Sequence, residues 1–224
     1  MEVSWLHLLP LLPLIGAAIC GLVGKWLPKA WVYAIALVAV LLSFLVGLKG
    51  FVNLDETTQL FHQTAFHWFS AGALRVDMGF TFDRLSGALT LVVTGVGFLI
   101  HVYSVGYMDE DPAYWRYFAY LNLFIAAMLT LILGDNLVAM FVGWEGVGLC
   151  SYLLIGFWFT DEEKAYAGRK AFIVNRIGDA GFLIGIFILY TQLGTVSFSL
   201  INGTVIPLGV ASLAALCLFI GATG

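Results

Sequence analysis

Two carboxylic acids stand where a carboxylate is costly. Glu145 is the sole charge in the apolar run 137–159, and Asp179 lies in the next such run, one turn after Arg176. A charged side chain at mid-bilayer costs roughly 2.5–3.5 kcal/mol on insertion scales, so such groups point to ion or proton handling. Glu145 follows Asn136 by nine residues, and Asp179 follows Lys170 by nine. At helical rise both reach ~13 Å from opposite polar ends. That is near the midplane, where secondary transporters hold their coupling sites. Arg176 and Asp179 are spaced to pair on one helix face. In a low-dielectric site an unpaired acid favours its neutral form and an arginine-paired acid its ionised form. Acids of unequal proton affinity are the parts of a relay or switch. The packing alternative is that the Arg–Asp pair only joins helices, while Trp144 or a backbone group satisfies Glu145.

The remaining polar residues say less. His101, close to Tyr103 and Ser104, is a candidate relay, or a satisfied interfacial donor. His7, His62 and His67 show no metal-ligand spacing. Cys20, Cys150 and Cys217 are isolated, which excludes a cysteine-ligated cluster or zinc site within this chain. No phosphate loop, dinucleotide fingerprint or hydrolytic nucleophile motif is present. Asp109-Glu110-Asp111 reads as a solvated loop. Gly143, Gly146 and Gly148 surround the first acid, and Gly178, Gly181 and Gly185 flank the pair. Small residues let membrane helices approach closely.

The elements that must position these groups are transmembrane. Of 224 residues 61% are hydrophobic and 11% charged, too apolar for the surface of a soluble domain. The fold class is an all-α polytopic membrane protein with the lipid bilayer as its solvent. A net charge of −4, small and scattered, gives no nucleic-acid partner. Seven spans are expected near 5–24, 31–51, 84–107, 114–134, 137–159, 171–193 and 205–224. Pro10 and Pro13 are expected to kink the first. Between Phe51 and Asp83 the pattern changes to period two. Leu74, Val76, Met78, Phe80 and Phe82 alternate with polar or small residues, and Ser70-Ala71-Gly72 offers a turn. One extramembrane β-hairpin over about 58–83 is therefore expected, as a lid over helix ends or a docking edge. Helices one to three with the hairpin make up a first part, 1–110.

Lys25, Lys29, Arg116, Lys164, Arg169 and Lys170 fall in one set of alternate loops, and Lys49, Arg75 and Arg84 in the other. The positive-inside rule then places the N-terminus and hairpin outside. Met1-Glu2 lacks a basic n-region, so the first span reads as a retained helix and not a signal peptide. The last span stops at Gly221-Ala222-Thr223-Gly224 without an interfacial flank, and is expected to belong to a longer protein.

These residues resemble a family. The run from Asp135-Asn136 through Gly143-Trp144-Glu145-Gly146-Val147-Gly148-Leu149-Cys150-Ser151-Tyr152 to Gly156 is similar to the distal antiporter-like subunits (chain L, or chain 5) of proton-pumping NADH:quinone oxidoreductase, respiratory complex I. Lys170-Ala171-Phe172-Ile173-Val174-Asn175-Arg176-Ile177-Gly178-Asp179 resembles the helix that follows there. Asp83-Arg84-Leu85-Ser86, His101-Val102-Tyr103-Ser104 and Tyr107-Met108 resemble its third helix. The resemblance implies an inverted-repeat antiporter-like scaffold, in which helices four to seven (111–224) begin the first, proton-translocating repeat. It implies that Glu145 modulates a lysine placed after Gly224, with Arg176 and Asp179 beside it. It also implies a proton-translocating subunit of an oxidoreductase, a translocase without a redox centre of its own. Flavin and iron–sulfur clusters would sit in partner subunits, and coupling to the peripheral arm would pass through other membrane subunits. The absence of a transit peptide suggests a bacterial inner membrane. The large subunit of multi-subunit sodium/proton antiporters shares the helix plan but usually reads Trp-Glu-Leu-Thr-Ser at this helix. A passive membrane scaffold is the remaining alternative, disfavoured because apolar residues would pack at lower cost than buried charges.

Overall fold

The computed structural model describes residues 1–54, 59–72 and 74–224. The expected start of the hairpin at Thr58 lies outside the described residues. The chain runs through α1 (Leu8–Val23), a 3₁₀ turn (Gly24–Trp26), α2 (Lys29–Val52), β1 (Phe61–Ala71), β2 (Leu74–Phe82), α3 (Arg84–Tyr107) and α4 (Tyr114–Leu133). It continues through α5 (Leu137–Ile155), α6 (Glu162–Leu193), the short α7 (Phe198–Asn202) and α8 (Leu208–Thr223). Among the described residues, α1 with its 3₁₀ turn and α2 to α6 are long and apolar enough to cross a membrane, and α8 is a shorter apolar helix of 16 residues. Large apolar side chains such as Leu99, Ile177 and Phe187 face outward. An apolar exterior of this kind suits lipid and not water.

Local chemistry sets the boundaries. Asp83 caps α3 in a reciprocal box, accepting from Ser86 N at 2.8 Å while Asp83 N donates to Ser86 Oγ at 2.8 Å. Asn136 caps α5 through Val138 N and Ala139 N, and Asp161 caps α6 through Glu163 N. The last cap revises the expected connection over 160–170. Glu162 and Glu163 occupy the first turn of α6, so helix begins nine residues before the apolar run from 171, with the acids favourably placed at its N-terminus. Pro10 sits in the first turn of α1, where no intrahelical donor is lost, and the helix continues through Pro13.

β1 and β2 pair antiparallel from Phe61↔Phe82 to Ala71↔Leu74, with register shifts at Thr64/Phe66 and His67/Phe69. Gly72 takes φ +60° at the turn, a conformation that favours glycine. On β2, Val76, Phe80 and Phe82 point inward, as the period-two pattern requires. Residues 1–3 add along β1 through Val3 N to His62 O and His62 N to Met1 O, covering part of the edge that the docking alternative would use.

One core joins Leu6, Leu9 and Val40 to Phe80, Phe82 and Leu129, seating the hairpin on the ends of α1, α2 and α4. A second gathers Cys20, Val32, Met108 and Phe118 at the opposite end. A third packs Leu137, Phe182, Ile186 and Ala214 between α5, α6 and α8. The hairpin, Gly134 and Ser197 share one side of the bundle through bridges Phe80↔Gly134 and Asn136↔Ser197. Lys29, Asp109, Asp111 and Trp158 meet on the other, through the pairs Lys29–Asp109 and Trp158–Asp111. The two alternating loop sets read from the sequence are thus physically separated. The acidic loop is largely exposed, as expected of a solvated loop, and also links the start of α2 to Trp158 after α5.

Candidate functional site

The site begins with the faces of α5. Its glycines point at α4: a Cβ on Gly143 would come 2.3 Å from Leu131 N, and one on Gly146 would come 2.8 Å from the Ala127 Cβ. This close approach turns Trp144 and Glu145 away from α4, toward α6. On α6, Gly178 lies against the backbone of Gly221 and Gly224, and Gly181 and Gly185 against α8. Gly143 and Gly146 are thus spent on α4 and Gly178, Gly181 and Gly185 on α8, while the charges of α5 and α6 face each other.

Arg176 pairs with Glu145 across the α5–α6 contact, and the same Nη1 lies 3.6 Å from Asp179 Oδ2. One guanidinium thus serves two acids, with the direct hydrogen bond going to the acid on the other helix. The expected Arg176–Asp179 pairing is present as the longer limb. Trp144 donates its indole N–H to Asp179 Oδ1 at 2.7 Å, so the indole serves Asp179 and not Glu145. The Trp144 ring stacks near Phe182, 5.1 Å between centroids, and Arg176 lies over the Phe172 ring at 4.9 Å.

Burial separates the three. The Asp179 side chain is 6% exposed, Glu145 24% and Arg176 49%. Asp179 is enclosed, held by an indole and a cation, whereas Arg176 keeps room to move. A charge-assisted hydrogen bond is worth about 1.5–3 kcal/mol, and here it goes to Glu145.

His101 is elsewhere. It is 1% exposed between α3 and α4, with Nδ1 2.7 Å from Gly97 O and Nε2 3.2 Å from Asn122 Nδ2. Those bonds suit a neutral ring that donates from Nδ1 and accepts at Nε2. They do not join it to Glu145, Arg176 or Asp179. Asn122, the buried partner, escaped sequence reading because one polar residue in an apolar helix carries no pattern.

Asp135 and Asn136 anchor this assembly to the hairpin. Asn136 Nδ2 donates to Asp77 O at 2.8 Å, Asp135 N donates to Gly79 O, and His62 Nε2 lies 3.2 Å from Asp135 Oδ2. Leu137 N adds a bond to Val196 O. The start of α5 is thereby tied to the hairpin and to the segment after α6. The sequence signal for Asn136 was its place before an apolar run; its second task had none.

Two family models match. Residues 68–118 match the N-terminus of NADH-ubiquinone oxidoreductase (complex I) chain 5, and residues 134–224 match the NADH:quinone oxidoreductase/Mrp antiporter transmembrane family. The chain belongs to the complex I chain 5 family. Within that family, NADH-quinone oxidoreductase subunit L of Mycobacterium tuberculosis is 48% identical over 199 residues, covering 88% of this chain and 31% of that protein. The Escherichia coli subunit L is 44% identical, covering 87% and 32%. The NADH-ubiquinone oxidoreductase chain 5 of Chondrus crispus is 39% identical, covering 95% and 34%. The chain spans about a third of the length of these relatives. Among solved structures, the Mrp complex from Dietzia sp. DQ12-45-1b gives a TM-score of 0.83 at 22% identity, covering 98% of this chain and 23% of the matched one. The archaeal membrane-bound sulfane sulfur reductase gives 0.82 at 21%, covering 96% and 43%. These two likenesses establish the antiporter-like fold and nothing about the reaction.

Proposed function

We propose that this chain is part of a proton-translocating membrane subunit of NADH:quinone oxidoreductase, in which quinone reduction elsewhere in the assembly drives protons past Glu145 and the Arg176–Asp179 pair. The observation that carries the reading is a single guanidinium shared by two acids on adjacent membrane helices. When Arg176 sits on Glu145, that acid has the counter-charge and Asp179 relies on its indole. When Arg176 swings to Asp179, Glu145 is left without a counter-charge. Alternation between these arrangements moves protonation along the membrane, and a driving conformational change need only bias one side chain.

The wider assignment extends the resemblance to complex I. Flavin and iron–sulfur clusters belong to partner subunits, other membrane subunits flank this one, and the peripheral arm acts through them. The protein resides in a bacterial inner membrane with its N-terminus outside, as the basic loops on the side away from the hairpin favour. His101 enters as a buried link between α3 and α4; as a relay it would need to exchange its Asn122 bond for one toward the pair. A sodium/proton antiporter subunit is the second reading, supported by the Mrp fold likeness, but at 22% identity against 48% for subunit L.

The test is NADH-driven acidification of inverted membrane vesicles carrying Glu145→Gln, with assembly checked by native electrophoresis. Pumping and NADH–quinone turnover are both expected to fall. Wild-type values of both in a fully assembled complex would overturn the proposal.

A further inference from the structure

At the end of the bundle opposite the hairpin, α4, α5 and α6 enclose a cavity of about 230 Å³ lined by Arg116, Arg169, Tyr120, Tyr152, Phe157 and Phe159. It contains two guanidinium groups and no acid. Among the described residues, no carboxylate lies within 4.0 Å of either arginine, although Asp77, Asp109, Asp161 and both membrane acids all have lysine or arginine partners. Arg116 donates from Nη2 to Phe157 O at 3.1 Å and lies over the Phe157 and Phe159 rings at 4.6 and 5.0 Å. Its Nε is buried and has no protein acceptor. That atom is closed off and Nη2 is taken, but the rest of the guanidinium, which has no carboxylate partner, suits a phosphate oxygen.

The level of the cavity says where such an oxyanion comes from. Around it stand Tyr107, Tyr117 and Trp158, with Tyr107 6.4 Å from both of the other rings. Trp158 turns its N–H to Asp111 at 2.8 Å, in the loop outside the helices. Amphipathic rings of this kind mark the membrane–water interface, the depth of lipid phosphates. The walls are aromatic and the volume admits a phosphate and a few waters, at a share of about 30 Å³ per water. Basic pockets between helices at this level recognise anionic headgroups.

We infer that Arg116 and Arg169 bind the phosphate of an anionic phospholipid headgroup in the α4–α5–α6 crevice. The crevice closes where Gly156 meets Gly168, whose added Cβ would stand 3.1 Å from Gly156 N. A phosphate held by Arg116 and Arg169 bridges α4 to α6 beside the end of α5, and braces that end of the bundle.

The experiment uses the chain in its native assembly, delipidated in neutral detergent, with hydrogen exchange read over residues 156–170. Phosphatidylglycerol, phosphatidylcholine and inorganic phosphate are titrated separately. Phosphatidylglycerol is expected to protect the segment at lower concentration than phosphatidylcholine, with inorganic phosphate inert. The apparent affinity is expected to weaken about tenfold or more, ~1.4 kcal/mol, in the double variant Arg116→Gln, Arg169→Gln. Arg169→Gln alone, on an exposed side chain, and Arg116→Lys, which keeps charge but loses the fork, are each expected to weaken it partly and cover failure of the double variant to assemble. Protection by inorganic phosphate that competes with the lipid would overturn the lipid as the source. Equal protection of wild type and assembled variants would overturn the site itself.

Discussion

The shared guanidinium makes a quantitative claim about coupling. Arg176 hydrogen-bonds Glu145 directly, while its contact with Asp179 is an ion pair at 3.6 Å without a hydrogen bond, and Asp179 keeps the Trp144 donor in any case. In double-mutant cycles built from Glu145→Gln, Asp179→Asn and Arg176→Gln, the Glu145–Arg176 coupling should approach that of a charge-assisted hydrogen bond, about 1.5–3 kcal/mol. The Asp179–Arg176 coupling should be well under half of that. Thermal unfolding of the purified assembly in nanodiscs, followed by tryptophan fluorescence, reads the difference. Unfolding of an assembly is kinetically governed, so all variants are compared at one scan rate and the readout is the order of the two non-additivities in Tm, Glu145–Arg176 above Asp179–Arg176. A larger coupling for Asp179 than for Glu145 would refute the cross-helix pairing and return Arg176 to a purely intrahelical role.

Three further outcomes follow from the packing and the surface charges. Gly143→Ala should push α5 off α4, since its Cβ would meet Leu131 backbone at 2.3 Å; overpacking of this kind costs about 1–3 kcal/mol, and loss of both assembled complex and proton pumping checks it. Asn136→Ala should cost about 0.5–2 kcal/mol as a lost helix cap and release the hairpin from α5, seen as faster amide exchange at residues 137–139 and 76–79 together. The hydrogen bond from His67 and the neighbouring Arg75 hold the Asp77 carboxyl below the usual carboxylate range. Its contribution to the hairpin is therefore present above about pH 4 and lost as pH falls through the lowered value. Trp68 fluorescence should show that acid transition, and Asp77→Asn should remove it.

What the sequence made legible was whatever one helix or strand decides alone. The alternation from Leu74 to Phe82 gave the strand because burial of Val76, Phe80 and Phe82 needs only the pleat. The spacing of Arg176 and Asp179 gave their shared helix face. The start of α6 was misplaced because hydropathy reports lipid and not helix; the charged stretch from Glu162 to Lys170 is helical under the Asp161 cap. The Glu145–Arg176 and Trp144–Asp179 links were beyond reach because residues 31 and 35 apart meet through the rotation of one helix against another. That rotation is set by Gly143 against Leu131 and Gly178 against α8, contacts invisible until the partners are known.

The same glycines bear on how the site moves. α5 is tied at its start by Asn136 to Asp77 O, along its length by Gly143 to α4, and near its end by Gly156 against Gly168. Packed interfaces of this density resist continuous deformation, so sliding α5 along α6 would break several contacts at once. Asp179 is equally fixed, enclosed and bonded to an indole that itself packs on Phe182. The group with freedom left is Arg176, half exposed and resting on a single ring, Phe172. A long side chain carrying a permanent charge can exchange partners without uncovering either helix. Under the proposed function, the rigid parts hold two acids at fixed places and the choice between them falls to one rotamer.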